Sequence, residues 1–174
     1  MANTFIFGLH GTGKSGMAVK LGNAVPAEKL LLAADPFQKD QATGKLTFPE
    51  SYRRVDESIL EDEARPLRVK KVIIVDDATI VRRKWKTFEM LLATPRQTGT
   101  DFSLSFHGFA LCPDSLFVYC NKAICFRTSS GIPLSARWGM KKEMEWARKY
   151  IMEYGNIHSY YIVDNTKGSI DIVL

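Results

Sequence analysis

Eight consecutive residues near the start of the chain have the types and spacing that bind the phosphates of a nucleotide. They run Gly8-Leu9-His10-Gly11-Thr12-Gly13-Lys14-Ser15 and match G-x-x-x-x-G-K-[ST] at every fixed position. The glycines let successive backbone N–H groups point at phosphate oxygens. Lys14 would neutralise the β- and γ-phosphates, and the Ser15 hydroxyl would bind Mg²⁺. The predicted nucleotide contacts are these eight residues and Gly16.

Two adjacent carboxylates follow the most apolar segment of the chain. Val72-Ile73-Ile74-Val75 leads directly into Asp76 and Asp77. A buried strand of this kind delivers its acids to the carboxyl edge of a sheet, where phosphates bind. Asp76 would hold Mg²⁺ through its water shell, and Asp77 would accept a proton from, or orient, the water that attacks the γ-phosphorus. The alternative is that Asp77 only caps a helix beginning near Thr79.

The absence of a GTP-selecting motif indicates which nucleotide is bound. Selection of GTP usually requires N-K-x-D, and Asn121-Lys122-Ala123-Ile124 lacks the aspartate. The sequence therefore predicts ATP with Mg²⁺. A metal-binding acid followed by a second acid is also more typical of hydrolases than of small-molecule kinases.

Hydrophobic periodicity and turn residues predict the elements that position these groups. Strands are predicted over 4–7, 29–33, 69–75, 102–106 and 123–127, helices over 14–21, 56–64, 79–92 and 140–154, and a terminal hairpin over 160–163 and 170–173. Strands that alternate with helices favour the α/β class, with a mostly parallel sheet flanked by helices. We expect one domain over residues 1–174.

The composition of the chain indicates the class of binding partner and the cellular compartment. The net charge of +5 favours an anionic partner, with nucleic acid the leading candidate, although a solvated basic surface gives the same value. The three cysteines have neither metal-ligand nor CxxC spacing, so we expect reduced thiols in a cytoplasm-like compartment. No apolar run approaches the roughly 20 residues of a membrane span, and we expect no membrane anchor or secretion signal in this sequence.

Three segments together resemble the FtsK-HerA superfamily of DNA-translocating ATPases. They are GLHGTGKS at 8–15, VIIVDDAT at 72–79 and RQTGTDFSLSFH at 96–107, and the resemblance covers roughly residues 3–127. Its small members are genome-packaging ATPases of membrane-containing viruses, and filamentous-phage assembly ATPases related to zonula occludens toxin are close relatives. The resemblance implies a RecA-like P-loop fold in which strand 102–106 lies between the P-loop strand and the strand that carries Asp76.

The resemblance also implies two further site residues. His107 occupies the position of a polar sensor, and Arg96 falls where the family carries an arginine that can complete a neighbouring subunit's site. The family usually has glutamine where this sequence has His107, and glutamate where this sequence has Asp77. A structural role for His107 is the alternative, and the other candidate arginines are Arg82, Arg83, Arg127 and Arg137.

The function implied is a viral genome-packaging ATPase that couples ATP hydrolysis to DNA translocation into a capsid. Such an enzyme would form a homo-oligomeric ring, bind double-stranded DNA without reading its sequence, and meet capsid or portal-vertex proteins. It would act in the host-cell cytoplasm and at the packaging vertex of the virion. The alternatives are a small-molecule or nucleotide kinase, a filamentous-phage-type assembly ATPase, and a nucleotide-gated binding module.

Overall fold

The computed structural model describes residues 3–40, 43–57, 70–93, 99–129, 131–132 and 139–174, and their strands form one eight-stranded sheet. The strands are β1 (Thr4–Phe7), β2 (Glu28–Ala33), β3 (Arg53–Arg54), β4 (Lys71–Asp76), β5 (Thr100–Phe106), β6 (Lys122–Phe126), β7 (Tyr160–Asp164) and β8 (Ser169–Val173). Their order is β3-β2-β4-β5-β1-β6-β7-β8. All pairs from β3 to β6 are parallel, and the two pairs from β6 to β8 are antiparallel. The predicted parallel sheet and C-terminal hairpin are therefore confirmed.

Helices cover both faces of the sheet. The helices are α1 (Lys14–Asn23), α2 (Trp85–Ala93), a single turn α3 (Asp114–Phe117), and α4 (Lys141–Tyr154). Alternation along β1 sorts its side chains, so that Ile6 packs with Ala18 of α1 while Phe5 and Phe7 pack on the side of the other helices. Parallel strands covered on both faces are usually apolar along most of their length, which explains the buried apolar run 72–75 of β4.

Strand β5 lies between β4 and β1, as the resemblance implied. Its alternating F-S-L-S-F sequence is typical of a strand with one solvated face, yet every residue of β5 is buried. Phe102 and Leu104 face the larger cluster of core side chains, so Ser103 and Ser105 face α1. Two small hydroxyl side chains therefore lie beneath the helix that follows the phosphate loop.

The segment after Asp77 differs from the prediction. The prediction of a single α-helix over 79–92 was wrong for the first half of this range. Residues Ala78–Lys84 form a 3₁₀ segment, and only Trp85–Ala93 is α-helical. The backbone of Val81 (φ −94°, ψ 15°) departs from helical values. Most of the predicted helix over 56–64 lies outside the described residues, and the two-residue strand β3 and the turn α3 were not predicted.

The described part of the chain contains no helix that is long and apolar enough to cross a membrane. Cys112, Cys120 and Cys125 are buried and form no disulfide. Burial raises the pKa of each thiol. These side chains therefore pack as small apolar groups in the core.

Candidate nucleotide and metal site

The glycine-rich loop is anchored at the centre of the carboxyl edge of the sheet. It begins after β1, where the Gly8 N–H donates to the Phe106 carbonyl of β5 (3.1 Å) and the Leu9 N–H donates to the Arg127 carbonyl just after β6 (3.0 Å). A β-carbon added to Gly8 would lie 2.6 Å from Thr12 Oγ1 and 2.7 Å from Phe126 Cβ. Only glycine allows this approach, so the base of the loop is fixed against both neighbouring strands.

The middle of the loop turns the backbone toward a ligand. Gly11 (φ 76°) and Gly13 (φ 98°) adopt left-handed conformations that favour glycine. Among the described residues, the N–H groups of Gly11, Gly13, Lys14 and Ser15 make no backbone hydrogen bond. They lie at the positive N-terminal end of α1, and the loop therefore offers donors where a phosphate would bind.

The Lys14 ammonium group lies on the inner side of this loop. Its Nζ donates to the Leu9 carbonyl (2.8 Å) and lies 3.4 Å from His107 Nδ1. The residue is buried, and burial lowers the pKa of its ammonium group, while the charges of Asp76 and Asp77 act in the opposite direction. A cation is thus held beside two carboxylates at the place where the charge of a triphosphate would be neutralised.

Asp76 and two hydroxyl groups form a cluster of oxygen atoms below the loop. The Ser15 hydroxyl lies 3.1 Å and 3.0 Å from the two carboxylate oxygens, and the Ser105 hydroxyl donates to Asp76 Oδ1 (2.8 Å). Hydroxyl and carboxylate oxygens are ligands that Mg²⁺ prefers, and Mg²⁺ commonly binds only one or two protein groups beside substrate phosphates. Ser15 and Asp76 therefore fit Mg²⁺, with Ser105 orienting the carboxylate.

The two oxygens of Asp77 have different surroundings. Oδ1 accepts hydrogen bonds from Thr79 Oγ1 (2.6 Å) and from the Thr79 N–H (3.3 Å), so the capping contact considered from the sequence is present. Oδ2 lies 3.6 Å from His107 Nε2. Asp77 is also the single non-glycine residue with positive φ (58°) in the described part of the chain. The cap uses one oxygen, and the other faces the site.

His107 follows β5 and joins the lysine to the second acid. Its Nδ1 faces Lys14 and its Nε2 faces Asp77, and its ring lies against that of His10 with centroids 6.1 Å apart. The predicted sensor position is therefore close to both the phosphate loop and the carboxylates. Arg96 lies outside the described residues.

Two residues of this region were missed by the sequence analysis. Ser105 accepts a hydrogen bond from the Asp77 N–H (2.9 Å) besides its bond to Asp76. His158, in the loop before β7, has Nδ1 3.5 Å from the Thr12 carbonyl. The alternation of β5 was a usable signal for Ser105, whereas no local pattern connects residue 158 with residue 12.

The strand order and the phosphate loop together define an α/β fold of the RecA-like P-loop ATPase type. Compared by sequence, the chain matches no protein-family model and no curated protein. Among solved structures, it is similar to the DNA-packaging ATPase from Sulfolobus turreted icosahedral virus, with TM-score 0.67, 16% identity, and 99% of this chain and 97% of that chain covered.

Two further structures extend the comparison. The genome packaging NTPase from Sulfolobus turreted icosahedral virus 2 in complex with AMPPCP gives TM-score 0.68 at 14% identity, covering 99% of this chain and 97% of that chain. The cytoplasmic domain of the type VII secretion ATPase EccC from Thermomonospora curvata gives TM-score 0.57 at 15% identity, covering 92% of this chain and 24% of that chain. These similarities, at 14–16% identity, confirm the predicted RecA-like P-loop fold.

Proposed function

We propose that this chain is a viral genome-packaging ATPase that couples ATP hydrolysis to the translocation of DNA into a capsid. The observation that carries the proposal is the convergence of the loop lysine, the hydroxyl–carboxylate cluster and the Asp77–His107 pair at one edge of the sheet. Similarity to packaging ATPases over 99% of the chain supports the choice of function within this fold.

Each group has a role that follows from its position. Lys14 would exchange the Leu9 carbonyl for oxygens of the β- and γ-phosphates, because an ammonium group binds a phosphate anion more strongly than a neutral carbonyl. Ser15 and Asp76 would hold Mg²⁺, which offsets phosphate charge when bound. Asp77 Oδ2 would orient, or accept a proton from, the attacking water, since Oδ1 is engaged by Thr79.

His107 would connect the γ-phosphate region with Asp77. Its two ring nitrogens lie 3.4 Å from Lys14 Nζ and 3.6 Å from Asp77 Oδ2, so a displacement of either partner changes the surroundings of the ring. Arg96 of a neighbouring subunit would supply positive charge to the transition state in a homo-oligomeric ring. The partners would be double-stranded DNA, bound through its phosphates, and capsid or portal-vertex proteins. The site of action would be the host-cell cytoplasm and the packaging vertex.

The test is ATP turnover by the purified protein with and without double-stranded DNA. Wild type would be compared with Lys14→Ala and Asp77→Asn. Lys167→Ala serves as a matched lysine control, because Lys167 is exposed in the turn between β7 and β8. We expect DNA to stimulate wild type and the control, and both site variants to lose turnover with and without DNA.

The outcomes separate the competing functions. Turnover that ignores DNA and responds to a small phosphate acceptor would replace the motor with a kinase. ATP binding without turnover, even at protein concentrations that permit assembly, would favour the nucleotide-gated module. Full turnover in Lys14→Ala would contradict any P-loop mechanism at this site.

A further inference from the structure

The two sides of the phosphate loop differ in their surroundings, and this difference determines the orientation in which a nucleotide would bind. On the side of β5 and β4 lie Lys14, His107 and the two carboxylates, which suit the γ-phosphate and Mg²⁺. On the other side lie β6 and β7, with Phe126 packed beneath Gly8. A triphosphate with its γ end among the carboxylates therefore extends its nucleoside toward the β6–β7 side.

A rigid turn places His158 on this second side. Ser159 is buried, its hydroxyl accepts from the Asn156 N–H (2.8 Å), and the Asn156 side-chain oxygen accepts from the His158 N–H (2.7 Å). A β-carbon on Gly155 would lie 2.6 Å from the Ile151 carbonyl, so the turn is tightly packed on the end of α4. The backbone that carries His158 is thus fixed against the core.

The contact of His158 with the loop determines which ring nitrogen is free. Its Nδ1 lies 3.5 Å from the Thr12 carbonyl, which can only accept a hydrogen bond, so Nδ1 carries the proton in this contact. In the neutral ring Nε2 is then an acceptor. The side chain is exposed, and Nε2 has no hydrogen-bond partner among the described residues.

We propose that His158 is a specificity-determining residue that accepts a hydrogen bond from a ribose hydroxyl of the bound nucleotide through Nε2. An acceptor matches a hydroxyl donor, and the fixed turn presents it beside the loop on the nucleoside side. The proposal rests on the nucleotide binding proposed above and does not depend on DNA translocation. It predicts that the protein binds a nucleotide more weakly when the recognised ribose hydroxyl is missing.

The experiment compares affinities by isothermal titration calorimetry with Mg²⁺ present. The ligands are AMPPCP, its 2′-deoxy and 3′-deoxy forms, and inorganic triphosphate. Wild type should bind one deoxy form about threefold to tenfold more weakly than AMPPCP, the loss expected for one neutral hydrogen bond. His158→Ala should weaken AMPPCP by the same factor and remove the discrimination, while its affinity for inorganic triphosphate stays unchanged.

Ile157→Ala is the matched control, because Ile157 is the exposed neighbour of His158 in the same turn. It should retain wild-type affinities for all four ligands. Equal binding of the three nucleotides by wild type would overturn the proposal. So would an equal loss of AMPPCP and triphosphate binding in His158→Ala, because His158 would then act only on the shape of the loop. Failure of Lys14→Ala to weaken triphosphate binding would instead count against the nucleotide site itself.

Discussion

Asp77 combines a left-handed backbone with a side chain that serves two neighbours. Its φ of 58° is costly for most residues but tolerated by aspartate and asparagine. Oδ1 caps the 3₁₀ segment through Thr79, while Oδ2 faces His107. The carboxylate therefore contributes to local structure whether or not it takes part in chemistry, and a loss of activity in Asp77→Ala alone would not separate the two roles.

A pair of substitutions at Asp77 separates them. Asp77→Asn keeps the capping oxygen and tolerates the left-handed conformation, so the free energy of unfolding should stay within about 0.5 kcal/mol of wild type. Asp77→Ala loses the cap and should cost about 1–2 kcal/mol. If Asp77 acts on the water, Asp77→Asn should still lower ATP turnover by about 100-fold or more. Urea denaturation and steady-state turnover measure the two effects, and normal turnover in Asp77→Asn would reduce Asp77 to a cap.

At this scale, local sequence predicted the groups that are contiguous and missed those that are not. The loop from Gly8 to Ser15 and the pair Asp76-Asp77 were predicted because their function depends on neighbouring residues of fixed type. Ser105 and His158 approach the site only through strand order and the packing of a distant turn. Their roles, like those of the predicted site residues, stay predictions until tested.

Within strand β5, two serines on the face toward α1 have opposite surroundings. Ser105 bonds to Asp76 and to the Asp77 N–H, whereas Ser103 is buried and its hydroxyl has no partner among the described residues. Removing a hydroxyl that satisfies buried partners costs more than removing one without a partner. The same chemical change should therefore have different consequences two residues apart.

Ser105→Ala should lower the free energy of unfolding by about 1–3 kcal/mol, since Asp76 and Asp77 each lose a hydrogen bond. It should also weaken Mg²⁺-dependent nucleotide binding, because the Asp76 carboxylate loses its orientation. Ser103→Ala should be neutral or slightly stabilising. Urea midpoints and calorimetric titration test both variants, and similar destabilisation by the two would mean that the contacts of Ser105 add nothing beyond packing.

The elements themselves were largely predictable, and the errors have physical causes. Strand and helix positions follow from apolar period and turn residues, and β5 was placed correctly along the chain. Its complete burial was not predicted, because serines are small enough to fit beneath α1 and so imitate a solvated face. The early part of 79–92 is 3₁₀ and contains the non-helical backbone of Val81, which the hydrophobic period alone does not reveal.

At the scale of the whole molecule, the proposed ring makes each active site depend on two chains. Lys14 would act in its own subunit, while Arg96 is predicted to act in the neighbour. Lys14→Ala and Arg96→Ala should each be nearly inactive alone. A mixture should regain a substantial fraction of wild-type turnover, because an Arg96→Ala site can receive Arg96 from a Lys14→Ala subunit.

The mixing experiment is measured as turnover against the ratio of the two variants at constant total protein. Recovery should peak at an intermediate ratio. As a control, Lys14→Ala mixed with Asp77→Asn should stay inactive. Each of these variants lacks a residue that a subunit supplies to its own site, so a neighbour cannot replace it. A flat profile for the first mixture would assign the arginine to its own subunit or remove it from the mechanism.

The two edge strands of the sheet affect how readily these molecules aggregate at high concentration. Outer strands expose backbone donors and acceptors that can pair with another molecule and begin aggregation. In the described sheet one outer strand, β3, is only two residues long, and the other, β8, carries Asp171 at its centre. A short edge and a charged edge are both poor templates for intermolecular pairing. Crowded subunits would therefore associate through side-chain surfaces rather than by extending one another's sheets.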